Sequence, residues 1–262
     1  MCPICIEGGV ALVKTRDYSA RQAKADFQKA RKAERRYGAQ LRHIARLIGQ
    51  LVRSIDYTTL EGMTLLRPSL ESYANALTPW ARAIASRMVA DVAARDRKEW
   101  RKLSETMNRG LVEVIDKTEI GDRVRDLLSD QVRLIKSLPL EAAQRVHKLA
   151  MKAHLEGGRF DSIVKEINRT GEITTARATL IARTEVGRAS TVITQARAEK
   201  VGSTGYIWRT VGDTDVRPSH KKMEGKFVLW EKPPTLDNLV GHAGALPNCR
   251  CYCEPVVPDS KY

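Results

Sequence analysis

The sequence predicts an α+β protein: a mainly helical N-terminal bundle followed by a small antiparallel-sheet module with a long packing helix. Three observations carry this expectation. Only 5% of the 262 residues are aromatic, which disfavours a sandwich or barrel. Apolar residues recur at helical spacing through most of the chain, and beyond Gly202 the pattern gives way to short β-branched and aromatic runs separated by Gly, Pro, Asn and Asp. The expected organisation is a tail at residues 1–15, a helical region at 16–157 with a basic N-terminal arm, and an α+β module at 158–262.

The arm comes first. Between Arg16 and Arg53 eleven Lys and Arg face three acids, a net +8 in a chain whose total is +14. From Glu71 to Asp130 the two signs balance at eleven each, as on an ordinary folded surface. The first half of the arm has few large apolar residues, whereas Leu41, Ile44, Ile48, Leu51, Val52 and Ile55 recur at helical spacing. The second half is therefore expected to dock, while Arg21, Lys24, Lys29, Lys32, Arg35 and Arg36 project toward a polyanion, either double-stranded DNA or an acidic protein surface. The plainer alternative is a solvated helix face.

Next, Thr78 can cap a helix with Pro79 in its first turn, and Ile84, Met88 and Val92 fall on one stripe that Trp80 can join. A helix is expected from about Asp122 to Ser137, with Val124, Leu127, Leu128, Leu134 and Ile135 inward and Pro139 marking its end. Another spans about Leu140 to Leu155 and stops at Gly157 and Gly158. Phe160, Ile163, Val164 and Ile167 suggest a short helix. A long one follows, with Thr174 or Thr175 as its cap and Gly202 just past its end. "GYIWRTV", "KFVLW" and "CYCEPVV" then read as strands.

No apolar run approaches the roughly 20 residues of a membrane span, and the N-terminus lacks the pattern of a signal peptide. The chain is expected to begin in a cytoplasm and to have no membrane partner. Five cysteines, an odd number crowded at the two ends, do not suggest a secreted disulfide framework; reduced thiols or a metal fit better.

Two stretches concentrate chemistry: "GDTDVRPSHKKMEG" from Gly212 and "PNCRCYC" from Pro247. Glu185 lies near an apolar helix face and needs a partner. Arg188, three residues on, is within reach, and the planar fork of Arg217 suits a buried pair between helix and turn. Alternatively, His220 acts as general acid or base with Asp215 orienting it and Arg217 clamping phosphate, as in a metal-independent nuclease. The same stretch also fits a structural turn in which Asp213 and Asp215 cap backbone amides and Pro218 fixes the bend.

In an extended strand Cys249, Cys251 and Cys253 share one face, the outer two about 13 Å apart, too far for one zinc ion unless the chain bulges. "CPIC" has a metal-knuckle spacing. A structural zinc held by Cys2, Cys5, Cys249 and Cys251, with Cys253 or His220 as substitutes, stands against cysteines packed as small hydrophobes. His242 reads as a loop residue, and His43, His147 and His154 as polar or boundary positions on helices.

"LIARTEVGRA" on a helix, the "GYIWRTVGDTDVRPSHKKMEG" strand and turn, and the closing "PNCRC", in this order, resemble the phage Mu F-like minor head proteins, the head-morphogenesis family of tailed bacteriophages. The resemblance covers about Phe160 to Val257. It implies that Arg183, Thr184 and Glu185 form the helix signature, that Asp215, Arg217 and His220 form the turn signature, and that Gly225, Cys249 and Cys251 complete the pattern. Cys253, Cys2 and Cys5 fall outside it. The family implies a low-copy virion component, made in the infected cell, associated with the portal protein and the head interior alongside the major capsid or scaffold protein, with no settled reaction. Some relatives carry toxin or enzyme domains after this module; few residues follow Val257, so none is expected here.

Overall fold

The computed structural model describes residues 20–55, 60–107, 121–156 and 160–257. Helices α1 (Ala20–Arg53), α2 (Leu60–Ala76), α3 (Thr78–Met107), α4 (Gly121–Glu156), α5 (Phe160–Asn168) and α6 (Thr170–Lys200) precede β1 (Gly205–Thr210), the single turn α7 (Pro218–Lys221), β2 (Phe227–Leu229), β3 (Thr235–Leu236), β4 (Leu239–Val240) and β5 (Cys251–Val256). The class is α+β, helical first and a small antiparallel sheet last, as the sequence predicts. The chain forms two compact units that interleave in sequence: Glu34–Met88 with Leu128–Arg183, and Met1–Ala33 with Val89–Leu127 and Thr184–Tyr262.

The first unit is all helical. Tyr37, Leu41, Ile44, Ile48 and Val52 of α1 are buried along one helical stripe. The Tyr37 hydroxyl donates to Gln131 Oε1 at 2.8 Å inside this core, so the buried amide oxygen is satisfied. Gly49 and Gly171 lie so close that a Cβ on either would come within 3.0 Å of the other's Cα. α2 forms where the sequence suggests no element; Pro68 lies within it, and burial of Leu66, Leu70 and Ala74 outweighs the weak local signal.

Two helix boundaries differ from expectation. α4 runs unbroken through Pro139 instead of ending before it. Proline costs a helix one hydrogen bond, but Ile135, Leu138, Ala142 and Val146 are all buried and continue one apolar stripe across it. α6 begins at Thr170, so Thr174 and Thr175 are interior: their hydroxyls donate to the Thr170 and Gly171 carbonyls at 2.8 and 2.9 Å. At its other end Gly202 has φ 81°, and Gly202 N–H and Ser203 N–H bond the carbonyls of Glu199 and Ala198, the paired closure that a left-handed residue allows.

In the second unit β1 is central, antiparallel to β2 on one edge and β5 on the other. Tyr206, Trp208, Val228 and Trp230 pack with Trp100 of α3, with Ala198 of α6 and with Val201 just past its end, so the long helix does pack on the sheet. Asp96 and Arg197 form a buried ion pair between α3 and α6. Burial pushes the Asp96 carboxyl above the usual carboxylate range, against the lowering pull of Thr194 and Arg197. β3 and β4 form a hairpin around Asp237 and Asn238, both at positive φ, as a two-residue hairpin turn requires.

Candidate functional site

One face of α6 holds the loop that delivers the cysteines. The Asn248 N–H donates to Thr184 Oγ1 at 3.0 Å, and the Thr191 hydroxyl donates to the Ala243 carbonyl at 2.6 Å. Between them, a Cβ at Gly187 would stand 2.5 Å from the Gly244 carbonyl oxygen, so only glycine lets the loop approach so closely. The spacing Thr184, Gly187, Thr191 places all three on one helical face.

The loop and strand then bring Cys249 and Cys251 to His220. The Nδ1 atom of His220 lies 3.3 Å from Cys249 Sγ and 3.5 Å from Cys251 Sγ. The three donor atoms lie within 4.8 Å of one another. Cys249 precedes β5, and Asn248 at φ 54° turns the chain so that the two thiols converge, departing from the extended spacing expected from sequence. Cys253 goes elsewhere: it pairs with Trp208 across the sheet, and its thiol lies 3.5 Å from the Ala243 carbonyl.

The environment polarises this cluster. The Cys249 thiol is lowered to about 6, chiefly by the Cys251 thiol beside it, with help from the Gly244 amide and His220; that N–H lies 3.4 Å from its sulfur. Cys251 is pushed upward by the same pairing and by burial, and burial raises Cys253. The His220 ring is 1% exposed and meets Trp208 edge-on with centroids 5.6 Å apart. Its Nε2 makes no hydrogen bond and faces Asp237 Oδ2 at 3.8 Å.

The acids and arginines of the turn are used locally. Arg250 grips both Asp213 and Asp215, so these carboxylates bind a guanidinium where sequence suggested amide capping. Arg217 donates to the Pro247 carbonyl at 2.6 Å and lies 3.7 Å from Asp237. Glu185 is buried and pairs with Arg188 at 3.5 Å; the Glu185–Arg217 pair is replaced by these contacts because Arg217 points to the loop. Arg183 lies 3.4 Å from Glu34. Glu224, next to Gly225 at φ 75°, accepts from the Thr210 N–H at 2.6 Å, a role that sequence reasoning missed.

His242 is also more than a loop residue. Its Nδ1 lies 3.2 Å from the Tyr206 hydroxyl, which accepts the Ala243 N–H, and its ring sits edge-on to Tyr206 and Trp230. Burial lowers its pKa. His43 and His147 are exposed. Lys32, Arg35 and Arg36 are exposed on α1, whereas the side chains of Arg21, Lys24 and Lys29, all of Cys2 and Cys5, and the side chain of His154 lie outside the described set.

Residues 144–254, which include the helix signature and the cysteine-bearing loop, match the family described as Phage Mu protein F like protein, showing over that segment the resemblance read from the sequence. Among its relatives is an uncharacterised protein of Haemophilus influenzae (strain ATCC 51907 / DSM 11121 / KW20 / Rd), 31% identical over 142 residues, which cover 54% of this chain and 31% of that protein. The NAD(+)–arginine ADP-ribosyltransferase EFV of Enterococcus faecalis (strain ATCC 700802 / V583) is 30% identical over 128 residues, 45% of this chain and 26% of that one. Minor head protein GP7 of Bacillus phage SPP1 is 24% identical over 134 residues, 45% of this chain and 43% of its own. The chain thus spans less than half the length of each of these curated relatives. No solved structure matches it.

Proposed function

We propose that the chain is a minor head protein of a tailed bacteriophage that acts in head morphogenesis. It is assembled in the host cytoplasm and retained in the virion, at the portal and the head interior. The observation that carries this reading is the coincidence of the Mu F-like match over residues 144–254 with the alignment to the SPP1 minor head protein. Its partners in this reading are the portal protein and the major capsid or scaffold protein. The basic face of α1 contacts packaged DNA during or after packaging. No helix among the described residues is long and apolar enough to cross a membrane.

The module works by assembly and not by turnover. The contacts of the turn support this: Asp215 is held by Arg250, Arg217 by Pro247 and Asp237, and His220 is buried against Trp208. A nuclease needs its base within reach of the proton it abstracts. What the Enterococcus faecalis relative's name states is said of a protein of which the match covers 26%.

Deleting the coding sequence from a particle-producing genome tests the reading. Electron microscopy should show few or aberrant heads, restored when the intact chain is supplied in trans. Normal heads at normal titre without the chain would overturn it.

A further inference from the structure

We propose that His220, Cys249 and Cys251 form a zinc site in which Nδ1 and the two sulfurs bind the ion and Asp237 orients the imidazole from its far side. The inference is independent of the head-assembly reading. Its first support is metric. Zinc–sulfur bonds of about 2.3 Å and zinc–nitrogen bonds of about 2.0–2.1 Å at a tetrahedral angle imply a sulfur-to-nitrogen edge of about 3.6 Å. The two edges here are 3.3 and 3.5 Å, so an ion enters the cluster with little movement of the side chains.

The surroundings supply what a zinc site needs beyond its ligands. A ligating histidine almost always directs its second ring nitrogen at a carboxylate, a carbonyl or water, which fixes the tautomer. Nε2 of His220 is buried without a hydrogen bond, and the carboxylate of Asp237 stands 3.8 Å away. Asp237 is itself held by the Ser219 hydroxyl at 2.9 Å and faced by Arg217. On the sulfur side, the Gly244 N–H points at Cys249, as backbone amides do for a thiolate. A zinc ion would explain why a loop on α6, a strand and the turn before β2 deliver soft donors to one buried point. With the ion on Nδ1, the ring proton sits on Nε2, the nitrogen that faces the Asp237 carboxylate.

The competing explanation is a set of S–H···N hydrogen bonds among reduced thiols, or a Cys249–Cys251 disulfide. To separate these, the full chain purified in reducing buffer without chelator is dialysed against zinc or cobalt(II) and analysed for metal. The expected result is about one equivalent of zinc, as a three-ligand protein site would hold. The cobalt form should show the intense visible absorption of a tetrahedral ion and a near-ultraviolet thiolate band. Zinc addition should raise the thermal midpoint of the wild-type chain, and chelator should reverse the shift.

Cys249→Ser, a near-isosteric change, and Cys251→Ser should each abolish the thiolate band or greatly weaken binding, and His220→Ala should do the same. Cys253→Ser and the double variant Cys2→Ser, Cys5→Ser should keep the metal. A wild-type chain that is folded yet takes up no zinc or cobalt, or a mass lower by two hydrogens that marks a disulfide, overturns the proposal. So does metal retained in folded Cys249→Ser, or metal lost only in the Cys2, Cys5 double variant.

Discussion

Asp96 and Arg217 mark the two ends of the range of charged contacts here. The Asp96–Arg197 pair is buried on both sides, and removing one member strands the other away from water, a cost of about 3–5 kcal/mol. Arg217 is partly exposed beside Asp237, so Arg217→Ala should cost only about 1 kcal/mol through its bond to the Pro247 carbonyl. Urea titration of Asp96→Ala and Arg217→Ala should show that order; equal losses would mean that Arg217 anchors the turn more firmly than its exposure implies. His242 gives a pH dependence. Because burial lowers its pKa, the folded chain resists a proton that the unfolded chain accepts near the ordinary imidazole value of about 6.5. Its contribution is intact above that value and is lost as pH falls below it. Glu199 pulls the other way, and Tyr206 and Trp230 enclose the ring. The urea midpoint should therefore fall between about pH 7.5 and about pH 5, and His242→Gln should flatten that fall; an unchanged slope in the variant would assign the effect to other groups.

Elements were legible where local signals agreed. Gly202 past the end of α6, the three main strands and the short α5 were all readable, because each carries its own turn or cap chemistry. Pro139 misled because a local breaker was read without the stripe of Ile135, Leu138, Ala142 and Val146 that continues across it. The cysteines misled in a related way: period-two spacing assumes an extended strand, and the positive φ of Asn248 is a tertiary outcome. His220, Cys249 and Cys251 were each named from sequence, but their convergence on one nitrogen depends on a loop held by Gly187 against Gly244. Gly187→Ala tests that hold. The methyl would meet backbone, which cannot rotate away, so a loss of about 1–3 kcal/mol is expected; a loss under a few tenths would show that the loop shifts freely. On α1, replacing Arg21, Lys24, Lys29, Lys32, Arg35 and Arg36 with Gln tests the DNA reading. Six phosphate contacts give a slope of log affinity against log salt of about −5, and the variant should flatten it for every sequence alike. Unchanged DNA binding in a variant that fails to enter particles would assign the arm to an acidic protein surface.

At the scale of the whole chain, the division into units was the least legible feature. Each boundary between Glu34–Met88, Leu128–Arg183 and the remaining segments falls within a helix, where composition and turn residues give no signal. Asp96 and Arg197 are 101 positions apart, so nothing local in the sequence pairs them. The signature from Arg183 to Glu185 was readable as a pattern, yet its use emerged only in three dimensions: Arg183 to Glu34, Thr184 to the amide of Asn248, Glu185 to Arg188. These contacts describe a fastened module, and the role proposed for it is assembly. Quantitative mass spectrometry of gradient-purified particles, washed free of unbound protein, tests that claim most directly. The account predicts the chain in mature heads at a copy number far below that of the major shell protein, and equally so when His220 is replaced by a residue that preserves the fold. Complete, infectious particles that contain none of it would contradict the account.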